Sequence, residues 1–129
     1  MSQVTNAILH MGTMMKEEAK QKLKEVNAFF GDQKGFVSLE DETLPRGWCG
    51  GTTWLECNLA IGALNYLDLE GLTKHLQSLD WTCIDCIEDV QLLVLEYGEG
   101  KFRIINVFTG TWIWNSEARR HVQVKRGSL

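Results

Sequence analysis

The chain has 129 residues, of which 44% are hydrophobic and 23% are charged, and its formal net charge at pH 7 is −4. The apolar fraction and the single proline exclude a disordered or collagen-like chain, and the length predicts a single domain over 1–129. The longest apolar runs, such as 92–95, fall far below the roughly 20 residues needed to span a bilayer, and residues 1–10 lack the features of a secretory signal. We therefore expect a cytoplasmic protein that does not contact a membrane.

The charges are distributed unevenly along the chain. Residues 35–100 contain two cationic side chains and twelve carboxylates, a balance of −10, whereas residues 1–34 carry +1 and residues 101–129 carry +5. An excess of carboxylates repels the phosphates of nucleic acid but attracts a basic protein surface. It is also typical of a solvated surface that keeps a small domain soluble. The pattern argues against a nucleic-acid partner and favours a basic protein partner.

An apolar stripe at helical spacing predicts an amphipathic helix over residues 13–30, which Thr13 caps and Gly31 ends. The members of the stripe are Met15, Ala19, Leu23, Val26 and Phe30. The Lys and Glu side chains between them, including Lys22, are predicted to face solvent. A short strand is predicted over residues 36–39.

Two more helices are predicted in the middle of the chain. Thr53 and Glu56 have the spacing of a capping box, which predicts a helix that continues to about Leu67. Asp68 is a suitable N-cap for a shorter helix through Leu79.

The period of the apolar residues changes after Trp81, and strands are predicted from there on. Residues 90–97 and 101–108 are rich in β-formers and are joined by a glycine-bearing turn, which predicts a hairpin. Residues 111–114 and 121–125 are further strand candidates. The sequence therefore predicts an α+β fold, with N-terminal helices packed on one face of a C-terminal antiparallel sheet, a meander that includes the hairpin 90–108.

The four cysteines are Cys49, Cys57, Cys83 and Cys86. A zinc site would need a second pair of ligands besides the Cys83–Cys86 pair, and the acidic residues that follow Cys86 disfavour a reactive thiolate. We interpret Cys83 and Cys86 as free structural thiols, with a redox pair and a metal site as alternatives. No cofactor or metal ion is expected.

The loop 46–53 places Cys49 among glycines and before a predicted helix, where backbone amides can stabilise a thiolate. A cysteine-dependent hydrolase would use Cys49 as nucleophile and His121 or His75 as base. The competing interpretation is that the glycines form a tight connection and that Trp48 and Trp54 pack in the core.

Trp112 and Trp114 alternate on a predicted strand, so their indoles point to the same face. They are interpreted as a packing pair in the core or as exposed anchors for a partner, since Trp is enriched at binding hot spots. An exposed patch around them would also suit a structural subunit of a larger assembly.

These observations favour a non-enzymatic, acidic protein-binding module. Its most concrete form is an inhibitor or immunity-type protein that neutralises a basic partner such as a nuclease toxin. The alternative is the cysteine-dependent hydrolase, and the sequence leaves the oligomeric state open. The candidate partner-binding residues are Glu40, Asp41, Glu42, Asp85, Glu88, Asp89, Trp112 and Trp114.

Overall fold

The computed structural model describes residues 3–39 and 55–124. In chain order the α-helices and strands are β1 (Val4–Met11), α1 (Lys16–Asn27), β2 (Val37–Leu39), β3 (Leu59–Asn65), α2 (Leu69–Ser78), β4 (Val90–Leu95), β5 (Arg103–Asn106), β6 (Thr111–Asn115) and β7 (Arg120–Val124). Strands β1 to β5 form an antiparallel sheet in the order β2-β3-β1-β4-β5, and β6 pairs with β7. The fold is α+β, as predicted.

The predicted order of helices first and sheet second is wrong. Strand β1 opens the described chain and lies in the middle of the sheet, α1 connects β1 to β2, and α2 connects β3 to β4. This β-α-β-β-α-β order is that of a split β-α-β unit. Strand β5 adds to its β4 edge, which confirms the hairpin predicted within 90–108. The sheet thus takes its central strands from both halves of the chain.

The helix predicted from Thr53 to Leu67 is wrong, because residues Leu59–Asn65 form β3 instead. This strand pairs with β1 on one side and β2 on the other. Both of its faces carry apolar side chains, and this two-sided pattern imitates the apolar stripe of a helix. Long-range pairing with two neighbouring strands overrides the local helical signal.

Helix α1 differs from its prediction at its start and in the side chains that it buries. It begins at Lys16, and its N-cap residue Met15 is 74% exposed rather than packed in the core. Lys22, predicted to face solvent, is buried. Its ammonium donates a hydrogen bond to the backbone carbonyl oxygen of Asp80 and lies 5.5 Å from the centre of the Trp81 ring. The shorter helix α2 agrees better with the sequence, since Asp68 caps it as predicted.

One hydrophobic core includes one face of the sheet and residues of both helices. Leu9, Ala60 and Leu92 come from three neighbouring strands and are fully buried. They belong to the same cluster as Val26 of α1 and Leu72 of α2. No helix within the described residues is long and apolar enough to cross a membrane.

Candidate binding surface

The other face of the five-stranded sheet carries a continuous row of aliphatic side chains. Cross-strand pairing places one residue from each strand side by side, namely Val37, Ile61, Ile8, Leu93 and Ile104. Directly paired residues point to the same face of a sheet, and neighbouring strands lie about 4.8 Å apart. These five residues, termed the aliphatic row, therefore extend about 19 Å across the sheet.

The aliphatic row is accessible to solvent, above all at its ends. Val37 is 65% exposed, Ile104 is 63% exposed, and Ile61 is 43% exposed. The two remaining members, Ile8 and Leu93, are half-buried. Single exposed apolar residues are ordinary on protein surfaces, but a contiguous exposed patch indicates an interaction site.

A shallow groove of about 620 Å³ runs beside the row. Ile8, Val37 and Ile61 form part of its wall, and Phe102 adds an exposed aromatic ring. The ammonium of Lys34 is the only charged group among the described residues that line the groove. The groove and the row together form one apolar surface.

An uncharged polar ladder borders the aliphatic row on one side. His10, Gln91 and Asn106 are paired across β1, β4 and β5. The side-chain amide of Gln91 donates to Asn106 Oδ1 at 3.0 Å, and Gln91 Oε1 lies 3.4 Å from His10 Nδ1. None of the described strand residues that point to this face is Asp, Glu, Lys or Arg. The described strand residues of this face are therefore uncharged when histidine is neutral, although the whole chain carries −4.

The predicted acidic contact residues that the structure describes do not lie on the strands of this face. Glu40, Asp41 and Glu42 lie outside the described residues. Asp85, Glu88 and Asp89 are exposed in the segment between Trp81 and β4. The aliphatic row and this acidic segment are thus two separate features of the surface.

A second groove, of about 350 Å³, lies between α1 and the segment that follows α2. Its carboxylates are those of Glu17, Glu18, Glu25 and Asp80, and Lys22 is the one cation among its described lining residues. Burial opposes ionisation of Asp80, but hydrogen bonds from Thr82 and the nearby Lys22 ammonium together lower its pKa. We term this feature the acidic groove.

The three described cysteines, Cys57, Cys83 and Cys86, are free thiols. Partial desolvation raises the pKa of the Cys83 thiol, against the opposing effect of the Lys22 ammonium. Its sulfur lies 4.0 Å from that of Met14. Within the described residues, no group of three or more His, Cys, Asp or Glu side chains could hold a metal ion. A raised pKa is the opposite of what an activated thiol requires.

The hydrolase hypothesis requires Cys49 with either His121 or His75 as base, and Cys49 lies outside the described residues. His75 Nε2 lies 2.8 Å from the Glu25 carbonyl oxygen. His121 is 7% exposed, and its Nε2 accepts a hydrogen bond from the backbone N–H of Trp81 at 3.2 Å. Burial lowers its pKa, against the opposing charge of Asp80. The lone pair that a general base would use is therefore engaged inside the protein.

The two tryptophans of β6, Trp112 and Trp114, contact other side chains and backbone of the same chain. The Trp112 indole N–H donates to the Thr109 carbonyl oxygen at 2.9 Å, and its ring lies edge-on to Phe108. Trp114 packs against His121 at a ring separation of 5.1 Å and remains partly exposed. The larger exposed aliphatic surface lies on the five-stranded sheet rather than around these indoles.

Sequence reasoning missed the aliphatic row, because β1 and β3 were not predicted as strands. The available signal was the alternation along 4–11, where Thr5, Ala7, Leu9 and Met11 turn out to be buried. In comparisons with known proteins, no family model, curated protein or solved structure matches this chain.

Proposed function

We propose that this protein is a non-enzymatic protein-binding module, located in the cytoplasm, that binds a protein partner through the aliphatic row. The observation that carries the proposal is the continuous row of five solvent-accessible aliphatic side chains, one from each strand of the sheet, of which three are exposed and two are half-buried. Burying the exposed side chain of Val37 in the interface would contribute about 1–2 kcal/mol to the binding free energy, and burying that of Ile104 would contribute about the same. Removing this surface from water is the driving force of the interaction.

We also propose that both helices cover the face of the sheet opposite the aliphatic row. Val26 of α1 and Leu72 of α2 share a core cluster with Leu9 and Leu92, whose side chains point away from the aliphatic row. Two helices on one face leave the other face available, and the α+β architecture permits this arrangement.

Site-specific photo-crosslinking in the native cells tests this proposal. A crosslinking amino acid at position 37 or 104 should give discrete protein adducts. The same group at position 113 is the control, because Ile113 is also exposed but lies on the separate β6–β7 sheet. Adducts from positions 37 and 104 but not from 113 support the proposal. Equal labelling at all three positions, or none at any of them, contradicts it.

A basic protein such as a nuclease toxin is a second candidate partner, and the acidic groove is the observation that favours it. Four carboxylates line this groove, and the exposed Asp85, Glu88 and Asp89 follow Asp80 closely in the chain. Electrostatic attraction of this kind raises the association rate and weakens as salt screens it.

The double variant E17Q/E18Q tests the basic-partner hypothesis against a panel of basic nucleases. Association should slow in the variant and at high salt, whereas E117Q, at a site outside the acidic groove, should behave as the parent chain. Binding that is indifferent to both salt and the substitutions would rule out this electrostatic mode.

A further inference from the structure

We infer that the protein partner of the aliphatic row is a second copy of this chain, and that the two sheets pack face to face about a two-fold axis. The inference rests on the proposed function, because it names the partner of the same surface. The resulting dimer would be a sandwich of two five-stranded sheets, and such sheets pack about 10 Å apart with their strands roughly aligned.

The order of the strands makes the aliphatic row self-complementary. Ile8 lies on the middle strand, with two strands on either side of it. A two-fold axis that runs parallel to β1, midway between the sheets, places Ile8 over the second copy's Ile8. The same axis places Ile61 over Leu93 and Val37 over Ile104. Each aliphatic side chain thus meets another aliphatic side chain, and every contact is reciprocal, as in an isologous interface.

The neighbouring row of paired residues fits the same axis. Ala63, Asn6 and Leu95 are paired across β3, β1 and β4, and they point to the exposed face. The axis places the small side chain of Ala63 opposite the larger Leu95 of the second copy, and it places Asn6 opposite Asn6. Small residues opposite large ones allow the two surfaces to interdigitate.

The charge distribution favours this face for self-association. Each copy carries −4, so two copies repel each other when they approach through the acidic groove. The described strand residues on the exposed face are uncharged, with histidine neutral, and Lys34 is the one charged residue among the described lining of the adjoining groove, so contact through this face brings together fewer like charges than contact through the acidic groove. The polar ladder of His10, Gln91 and Asn106 can stay hydrated at the rim.

The size of the face predicts a reversible dimer. Five strands of about five residues cover on the order of 400 Å² in projection, and the accessible surface of the side chains is larger than this projection. Two such faces bury an area near the lower end of the range for specific interfaces, about 1,200 Å² in total. Dimerisation should therefore depend on protein concentration rather than be permanent.

Sedimentation equilibrium of the full chain over a wide range of concentrations tests the inference. The parent chain should show a monomer–dimer equilibrium. The single variants V37E and I104K should each weaken dimerisation about tenfold or more, because each buries an unpaired charge in both halves of the interface. Both positions are well exposed on edge strands, which tolerate charged side chains, so folding should survive and can be checked by circular dichroism.

The double variant V37E/I104K tests which residues face each other across the proposed two-fold axis. The proposed axis brings position 37 of one copy to position 104 of the other, so the new charges are opposite and should restore dimerisation toward the parent level. The matched control is I113K, which changes another exposed isoleucine outside the row and should leave the equilibrium unchanged.

A parent chain that stays monomeric at every concentration overturns the second-copy inference. Weakening by I113K equal to that by I104K, or a double variant no stronger than either single variant, overturns the proposed geometry. Photo-crosslinking distinguishes this failure from failure of the proposed function. Adducts of twice the chain mass identify the second copy as the partner. Adducts of another mass support the proposed function with a different partner. An absence of adducts contradicts both the second-copy inference and the proposed function.

Discussion

His121 accepts a hydrogen bond from the backbone N–H of Trp81 at 3.2 Å, and this contact joins β7 to the segment that follows α2. Both residues are buried, and the Trp81 indole N–H donates in turn to the Leu76 carbonyl oxygen at 2.8 Å. A histidine that looks in sequence like a possible catalytic base therefore supports the packing between the small β6–β7 sheet and the main core.

The variant H121A should lower the free energy of unfolding by about 2–3 kcal/mol. It leaves the buried Trp81 N–H without an acceptor and removes the ring that packs against Phe108 and Trp114. H121Q can offer a side-chain carbonyl oxygen to the same N–H and should recover part of the loss. Urea denaturation measures both variants, and equal stability of H121A and the parent chain would show that the contact is dispensable.

The stability of the parent chain should also depend on the protonation of His121. Burial lowers the pKa of His121 in the folded state below its ordinary value of 6.5. As the pH falls through about 6.5, the unfolded chain binds the proton first, so the free energy of unfolding should decrease. The decrease should end once the pH is below the folded-state pKa. Unfolding experiments between about pH 8 and pH 5 should show this step in the parent chain and a smaller one in H121Q; identical slopes would contradict it.

The variant G35A should lower the free energy of unfolding by about 2 kcal/mol. The Asn27 amide holds the backbone of Phe36 on both sides, because its Nδ2 donates to the carbonyl oxygen at 2.9 Å and its Oδ1 accepts from the N–H at 2.8 Å. A methyl group on Gly35 would overlap both Asn27 and the ring of Phe30. The control is G100A, where an added Cβ meets nothing within 4 Å and the change should stay within about 0.5 kcal/mol. Equal effects of the two variants in thermal unfolding would show that the two hydrogen bonds between Asn27 and Phe36 do not depend on the small size of Gly35.

The variant K22A should cost about 2 kcal/mol of stability, although lysine on a helix surface is usually replaceable. Its ammonium donates to the Asp80 carbonyl oxygen, pairs with Glu25 at 3.1 Å and lies over the Trp81 ring. K24A, at an exposed position on the same helix, should change stability by less than about 0.5 kcal/mol. Chemical denaturation compares the two, and a K22A effect no larger than that of K24A would disprove a structural role for this cation.

Elements with local signals could be predicted from the sequence, whereas the centre of the sheet could not. Asp68 and the glycine-bearing turn after Tyr97 mark α2 and the β4–β5 hairpin within a few residues. Strands β1 and β3 have apolar residues on both faces, and their pairing depends on contacts far apart in the chain, such as Ala7 with Gly62. No local window contains that information.

The same reasoning explains what the sequence could indicate about function. The excess of carboxylates in residues 35–100 predicted a binding surface at side chains such as Asp85, which is exposed but does not lie on the sheet. The aliphatic row draws its members from positions 8, 37, 61, 93 and 104, and only strand pairing brings them together. A lone isoleucine or valine in any of these segments gives no sign of a surface.

Leu92 and Leu93 are neighbours on β4, and truncating each to alanine should lower stability by different amounts because their side chains point to opposite faces. Leu92 is fully buried in the core, so L92A should cost about 3 kcal/mol at any protein concentration. Leu93 belongs to the aliphatic row, so L93A should cost less than about 1 kcal/mol in dilute protein. At high concentration the second copy covers Leu93, and mass action should enlarge the difference between L93A and the parent chain. Chemical denaturation of both variants at low and high concentration measures these effects. An L93A effect as large as that of L92A in dilute protein would mean that the row is packed against the same chain, which would leave no open face for a partner.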